Sequence, residues 1–468
     1  MRSSLSLLAL LLSSSVAFAK LPVIPPPARW IPPSPTSSLT ASGVRVIVLP
    51  EHTLPVVHIL ATVQAGSELD PPDKPGLACA TARFLEEGGA GPRSASEVVE
   101  ALDDLGDGLR IDCDESGVRI SMSVLAARLP PTLQLIGDLL ARPRFDTAEW
   151  PSARARQVAE IVRKADEPRE VATDVFARVL YGQHPYGHSP LGTIASLGKL
   201  TLDDVRAFHA AHYGPKTSAV LLSGDVSVEQ ASQTVQSVLA RWTSKAAPQP
   251  APALASRPAP RVVLVDRPGA PQSQVRVGHV GVSWATPDFA ALSLLETVLG
   301  GSFTSRLNQN LREKHGYTYG ARAEFKLLRE AGPFDAHAAV RTDVTAESVQ
   351  EILAELGAIR APLTDGELKK GRALVLQSVV EAFGDGPQAL NLLAELVLHD
   401  RPVDTFTRLR VAMEALDVPS LQKVAARAFS PELSIVIVGD RKLIEPKLRA
   451  LPFAKSLEIV NVDGDLMK

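Results

Sequence analysis

The sequence predicts an α+β protein of two homologous lobes, each a mainly antiparallel sheet with helices packed on one face, the pair closing as a clamshell. The first observation is an internal repeat: the strand-type stretch VIVLPE from Val46 returns as VVLVDR from Val262, a shift of 216 residues. Towards the end of each half, LTLDDVRAFHAAHYGPKTSAVLLSGD (Leu200 to Asp225) returns as LDVPSLQKVAARAFSPELSIVIVGD (Leu416 to Asp440), with Pro215 and Pro431 again 216 apart. Both copies run from an amphipathic helix through an aromatic residue (Tyr213, Phe429) and a Pro-marked turn into an apolar strand, the mark of a duplicated unit. The second observation is that strand-type stretches such as VRVIVLPE, PVVHILATVQAG and GVRISMSVL neighbour one another across short turns, which favours antiparallel pairing. Helical runs such as SASEVVEALDDLG and LPPTLQLIGDLLA then supply the covering layer. The third is a proline-rich segment near the middle that divides the chain into similar halves.

In chain order, residues 1–19 read as a secretory signal: Arg2, an apolar run from Leu5 to Leu12, and an A-x-A site at Ala17-Phe18-Ala19 with cleavage before Lys20. Residues 20–40 carry too many prolines for a helix or a central strand and form an extended lead-in. Residues 41–243 make the first lobe, residues 244–260 (SKAAPQPAPALASRPAP) a semi-rigid linker, and residues 261–468 the second lobe. With 468 residues, 45% hydrophobic and 22% charged, the chain exceeds what one core supports and reads as globular. Its net charge of -3, with no basic run, argues against nucleic acid as a partner. No apolar run beyond the leader is long enough to span a bilayer, so the mature chain is expected to be exported without a stable membrane anchor. The two cysteines, Cys79 and Cys113, could pair in an oxidising compartment or stand as two buried apolar thiols.

Three segments carry a resemblance that extends over nearly the whole mature chain. They are GLACATARFLEEGG (Gly76 to Gly89), PRFDTAEW followed at a distance by GQHPYGHSPLGTIASLGKLTLDDVRAFHAAHYGP, and GGSFTSRLNQNLREKHGYTYGARAEF in the second half. Together they resemble the pitrilysin and insulinase-type zinc peptidases, which include the mitochondrial processing peptidases. Active members carry an inverted zinc motif, H-x-x-E-H, on a helix: two imidazoles at i and i+4 reach one metal from one face, and the glutamate takes a proton from the metal-bound water. Laid on that frame, Cys79 stands at the first histidine, Ala82 at the glutamate and Arg83 at the second histidine. Glu160, 77 residues after Arg83, occupies the slot of the family's third ligand. One carboxylate facing an arginine does not hold zinc, so the resemblance implies no catalytic residue and no metal in this chain. Arg83 and Glu160 are expected to form an ion pair in the vacated site, the bland alternative being that Glu160 is a solvated helix residue.

The second half keeps what the first has lost. The family places an Arg and a Tyr seven residues apart at the edge of its cleft, and Arg312 and Tyr319 in LREKHGYTY reproduce that spacing. An Arg fork and a phenol would hold a peptide carbonyl, whereas on spacing alone they read as a helix-end cation and an ordinary strand residue. His184 and His188 are separated by Pro185 and Gly187 and read as loop structure; His209 and His212 lack an intervening acid, have Val424 and Arg427 near their places in the repeat, and read as surface or packing residues. The resemblance therefore implies a non-catalytic, substrate-binding subunit of a heteromeric peptidase, with zinc in a homologous partner, an extended peptide as substrate and the periplasm as compartment. A scaffold with an unused cleft and a self-sufficient peptidase centred on Cys79 are the rival expectations.

Overall fold

The computed structural model describes residues 30–106, 108–254 and 258–467. The secretory signal and the first part of the proline-rich lead-in lie outside the described residues. Twelve strands form two six-stranded sheets among them. The first sheet contains β1 (Thr36–Leu39), β2 (Arg45–Pro50), β3 (Val56–Val63), β4 (Arg110–Cys113), β5 (Val118–Leu125) and β6 (Ser218–Gly224), in the order β1-β2-β6-β3-β5-β4. The second contains β7 (Val262–Asp266), β8 (Gln272–Val280), β9 (Thr318–Phe325), β10 (Pro333–Arg341), β11 (Ser434–Gly439) and β12 (Glu458–Val460), in the order β12-β7-β11-β8-β10-β9.

The sequence repeat is thus a structural one. β2 and β6 pair in parallel, as do β7 and β11, and β6 and β11 then pair antiparallel to β3 and β8. Both sheets are mixed with antiparallel pairs in the majority. They differ at one edge, where β1 adds antiparallel to β2 and β12 adds parallel to β7. β1 is the last piece of the proline-rich lead-in, and an edge is where such a segment can join a sheet.

Burial follows the period of each strand. In β5, Val118, Ile120, Met122 and Val124 are buried, while Arg119, Ser121 and Ser123 are only partly so. In β6 and β11 every residue is buried, which requires cover on both faces. One face of each sheet is covered by its own half's helices. The other receives a helix from the opposite half. Helix Gly386–Leu398 packs on β3 and β6, and helix Pro168–Tyr181 packs on β8 and β11. Val171, Val175, Phe176 and Val179 of the latter share a core with Val263, Val265, Val436 and Val438. Two halves distinct in sequence are therefore tied by an exchange of one helix each.

Polar contacts reinforce the exchange. Glu68, 1% exposed, accepts from Arg329 of the other half and from the Tyr186 hydroxyl at 2.9 Å. Arg119 bridges Asp114 and Glu395, Lys326 binds Glu115, and the Gln64 amide donates to the Val397 and Leu398 carbonyls at the end of the exchanged helix. The linker is held as well, since His184 Nε2 lies 2.8 Å from the Pro252 carbonyl and Arg329 donates to that of Gln249.

Candidate functional site

The motif helix, Leu77–Glu87, begins at Gly76, whose φ of 93° is left-handed and open to glycine at little cost. Its first turn is capped from a distance: the Asp70 carboxylate accepts the Gly76 and Ala78 amides, both at 2.7 Å. The helix is nearly all buried, and its inward face carries the positions at issue. Cys79, 4% exposed, is bonded to Cys113 of β4 with Cα atoms 5.4 Å apart. This settles the pairing that the sequence left open. Closing a loop of 34 residues restricts the unfolded chain by roughly 3–4 kcal/mol. Ala82 is fully buried and offers only a methyl group. Arg83 forms an ion pair with Glu160 on helix Trp150–Asp166, both side chains about one-third exposed. The four positions thus hold a disulfide, a methyl group and a guanidinium–carboxylate pair. These residues do not fit a zinc ion, because the thiol is consumed and the one carboxylate is neutralised.

Arg312 and Tyr319 sit at the far edge of the second sheet. Helix Phe289–Glu296 runs into a π-helical segment, Thr297–Gly301, and a second π-helical segment, Asn308–Lys314, carries Arg312. Gly316, at φ 63°, ends that segment, with its amide bonded to the Arg312 carbonyl and the Tyr317 amide to that of Leu311. This is a Schellman-type closure widened by one residue, in keeping with the π geometry. The reversal brings Tyr319, second residue of β9, back beside Arg312. Both side chains line one cleft of about 450 Å³ together with Arg169, Arg322 and His337. The Arg312 guanidinium lies 4.1 Å from the centre of the Phe303 ring and 3.5 Å from Glu313, and Tyr319 is 90% exposed.

The outer edge of β9 is partly closed by side chains. Asn308, buried, imitates a neighbouring strand: its amide oxygen accepts from the Ala321 amide at 2.9 Å and its nitrogen donates to the Ala321 carbonyl at 3.0 Å. Glu296 accepts from the Phe325 amide at 3.0 Å, and a Cβ at Gly300 would stand 2.2 Å from the Ala323 nitrogen. A peptide strand adding to β9 therefore meets blocked backbone from Ala321 onward and open backbone near Tyr319.

One group on the cleft wall was not singled out by the sequence. His337 Nδ1 lies 3.0 Å from Asp335, whose carboxylate is also 2.6 Å from Arg276. Burial opposes ionisation of Asp335, but the His337 hydrogen bond and the Arg276 charge outweigh it and hold the carboxyl below its usual range. Glu324 lies near enough that it, Asp335 and His337 could share a cation. Arg276 already supplies that positive charge, and the cluster is an ion-pair network. The signal was present as D-x-H in β10, but nothing in the sequence shows that β8 sets Arg276 beside it.

The histidines set aside earlier are structural. His184 accepts from the Tyr186 amide at 3.1 Å, and His209 packs within the first lobe with its Nε2 2.9 Å from the Leu140 carbonyl.

Residues 199–375 match the family described as peptidase M16 inactive domain. An uncharacterized zinc protease of Mycobacterium tuberculosis is 24% identical over 430 residues, covering 89% of this chain and 97% of that protein. A probable mitochondrial-processing peptidase subunit beta of Arabidopsis thaliana is 20% identical over 415 residues, covering 85% and 77%. The crystal structure of a peptidase M16 inactive domain from Pseudomonas fluorescens superposes with a TM-score of 0.79 at 23% identity, covering 86% of this chain and 98% of that one, and so shares the fold. The chain thus contains a segment that matches the peptidase M16 inactive domain and is similar in sequence to proteins named as zinc proteases and a processing-peptidase subunit.

Proposed function

We propose that the chain is the non-catalytic, substrate-binding subunit of a heteromeric zinc metalloendopeptidase acting on extended peptides or unfolded segments. The observation that carries this reading is the contrast between its two sites. The zinc positions are filled by the Cys79–Cys113 disulfide and the Arg83–Glu160 pair, while Arg312 and Tyr319 line an open cleft. A homologous partner subunit would bind the zinc and supply the Lewis acid and activated water. This chain's residues do the positioning: Arg312 offers its fork to a peptide carbonyl and the Tyr319 phenol adds a donor beside it. The signal-like pattern of residues 1–19 supports a periplasmic protein.

Co-purification with a zinc-bearing homologue, followed by peptide cleavage assays, tests the assignment. Arg312→Ala and Tyr319→Phe are each expected to lower kcat/KM of the complex about 10- to 100-fold while leaving subunit association unchanged. Full activity in the double variant would mean that the chain serves only as an assembly scaffold. Cleavage by the chain alone, lost on Cys79→Ala, would restore the self-sufficient alternative.

A further inference from the structure

The cleft beside Arg312 and Tyr319 is lopsided in charge. Arg169, Arg312 and Arg322 converge on it with His337; among the described residues its lining contains no carboxylate, the nearby Asp335 and Glu324 lying beside His337, with Asp335 already paired to Arg276. Arg312 has a partial partner in Glu313 at 3.5 Å. Among the described residues Arg169 and Arg322 form no ion pair, and both are exposed. Some arginines elsewhere on the molecule do lie against acids, as with Arg306 and Glu367, or Arg261 and Glu458.

The arrangement is also assembled from distant sequence. Arg169 comes from the first turn of the exchanged helix Pro168–Tyr181, Arg322 from β9 and His337 from β10, where His337 and Arg322 are cross-strand partners. Asp335 occupies His337 Nδ1, so Nε2 is the nitrogen left for a ligand. Planar guanidinium forks match carboxylate oxygens in pairs, and a concave wall of one sign concentrates the potential.

We propose that this cleft recognises a carboxylate of the bound peptide, an Asp or Glu side chain or a free C-terminus, through Arg169, Arg322 and His337. The proposal rests on the reading of Arg312 and Tyr319 as a peptide-binding pair and adds to it the chemical class of peptide selected. Arg312 and Tyr319 hold backbone irrespective of sequence; the three residues beside them select for negative charge.

The test is a fluorescence anisotropy titration of the full chain with a labelled unstructured peptide rich in glutamate and with its Glu→Gln counterpart, each made with a free and with an amidated C-terminus. The acidic peptides are expected to bind about tenfold more tightly than the uncharged, amidated one, with the margin shrinking as salt rises. Arg169→Gln combined with Arg322→Gln should abolish the margin and leave the affinity of the uncharged peptide in place, whereas the Arg169→Lys, Arg322→Lys pair should keep part of it. Loss of the margin on Glu→Gln alone identifies a side-chain carboxylate, and loss on amidation alone identifies the terminus; both support the proposal. Equal affinity for all four peptides overturns it and leaves the peptide-binding reading standing. Failure of every peptide to bind overturns both.

Discussion

At the scale of single residues, His209 shows how position alone decides a role. It lies with its ring 4.6 Å from that of Tyr213 and 5.4 Å from that of Phe145. Burial pushes its pKa down to about 4, with the Leu140 carbonyl pulling weakly the other way. The unfolded chain takes up this proton near the ordinary value of 6.5 and the folded chain does not. Stability is therefore lost as pH falls from about 6.5 towards about 4, by at most about 3 kcal/mol. His209→Gln should flatten the fall of the urea midpoint over this window, and an unchanged pH slope in the variant would refute the assignment. Two histidines three residues apart read as surface or packing residues, and the structure decides for packing at His209 by setting it against the Leu140 carbonyl. The changed motif was legible by contrast, since Ala82 and Arg83 cannot ligate zinc in any fold, whereas Cys79 is a possible ligand that only the disulfide removes. The Cys79–Cys113 bond was not legible, because it depends on β4 passing close to the motif helix.

Among the elements, the two exchanged helices matter most for the architecture. An amphipathic pattern in residues 168–181 tells that one face is buried, but not that the covering sheet belongs to the other half. The sheet itself asks for the helix: β11 has no exposed residue, and only a second apolar layer can pay for that. Phe176, 3% exposed, stands in this shared core. Phe176→Ala is expected to cost about 3–5 kcal/mol. A cost below about 1 kcal/mol in chemical denaturation would show that the helix is loosely docked. The strands at the sheet centres were readable as apolar runs and the antiparallel majority from short connections, but the parallel pairing of β2 with β6 and of β7 with β11 was not. The π-helical widening around Arg312 was not, since the sequence there reads as ordinary helix.

For the whole molecule, the exchange of helices and the buried contacts between halves join the described residues from Pro32 onward into one compact unit. Arg329 reaches from the β9–β10 connection to the buried Glu68 of the first half. Arg329→Met would leave that carboxylate buried beside the Tyr186 hydroxyl alone, at a cost of about 3–5 kcal/mol. Thermal unfolding of the variant should remain a single transition at a lower midpoint. Two separated transitions would show that the halves are independent domains.

The amino-acid sequence by itself determined the duplicated α+β plan, the absence of histidine and glutamate at positions 79, 82 and 83, and the seven-residue spacing of Arg312 and Tyr319. These are properties of residue identity and of local period, which need no knowledge of what lies across a sheet. Only the tertiary structure decided that Cys79 meets Cys113, that each half covers the other's sheet, and that Arg169 joins Arg322 and His337 at one cleft. Those are contacts between residues far apart in the chain, and the free energy that selects them comes from burying complementary faces, which no local pattern encodes.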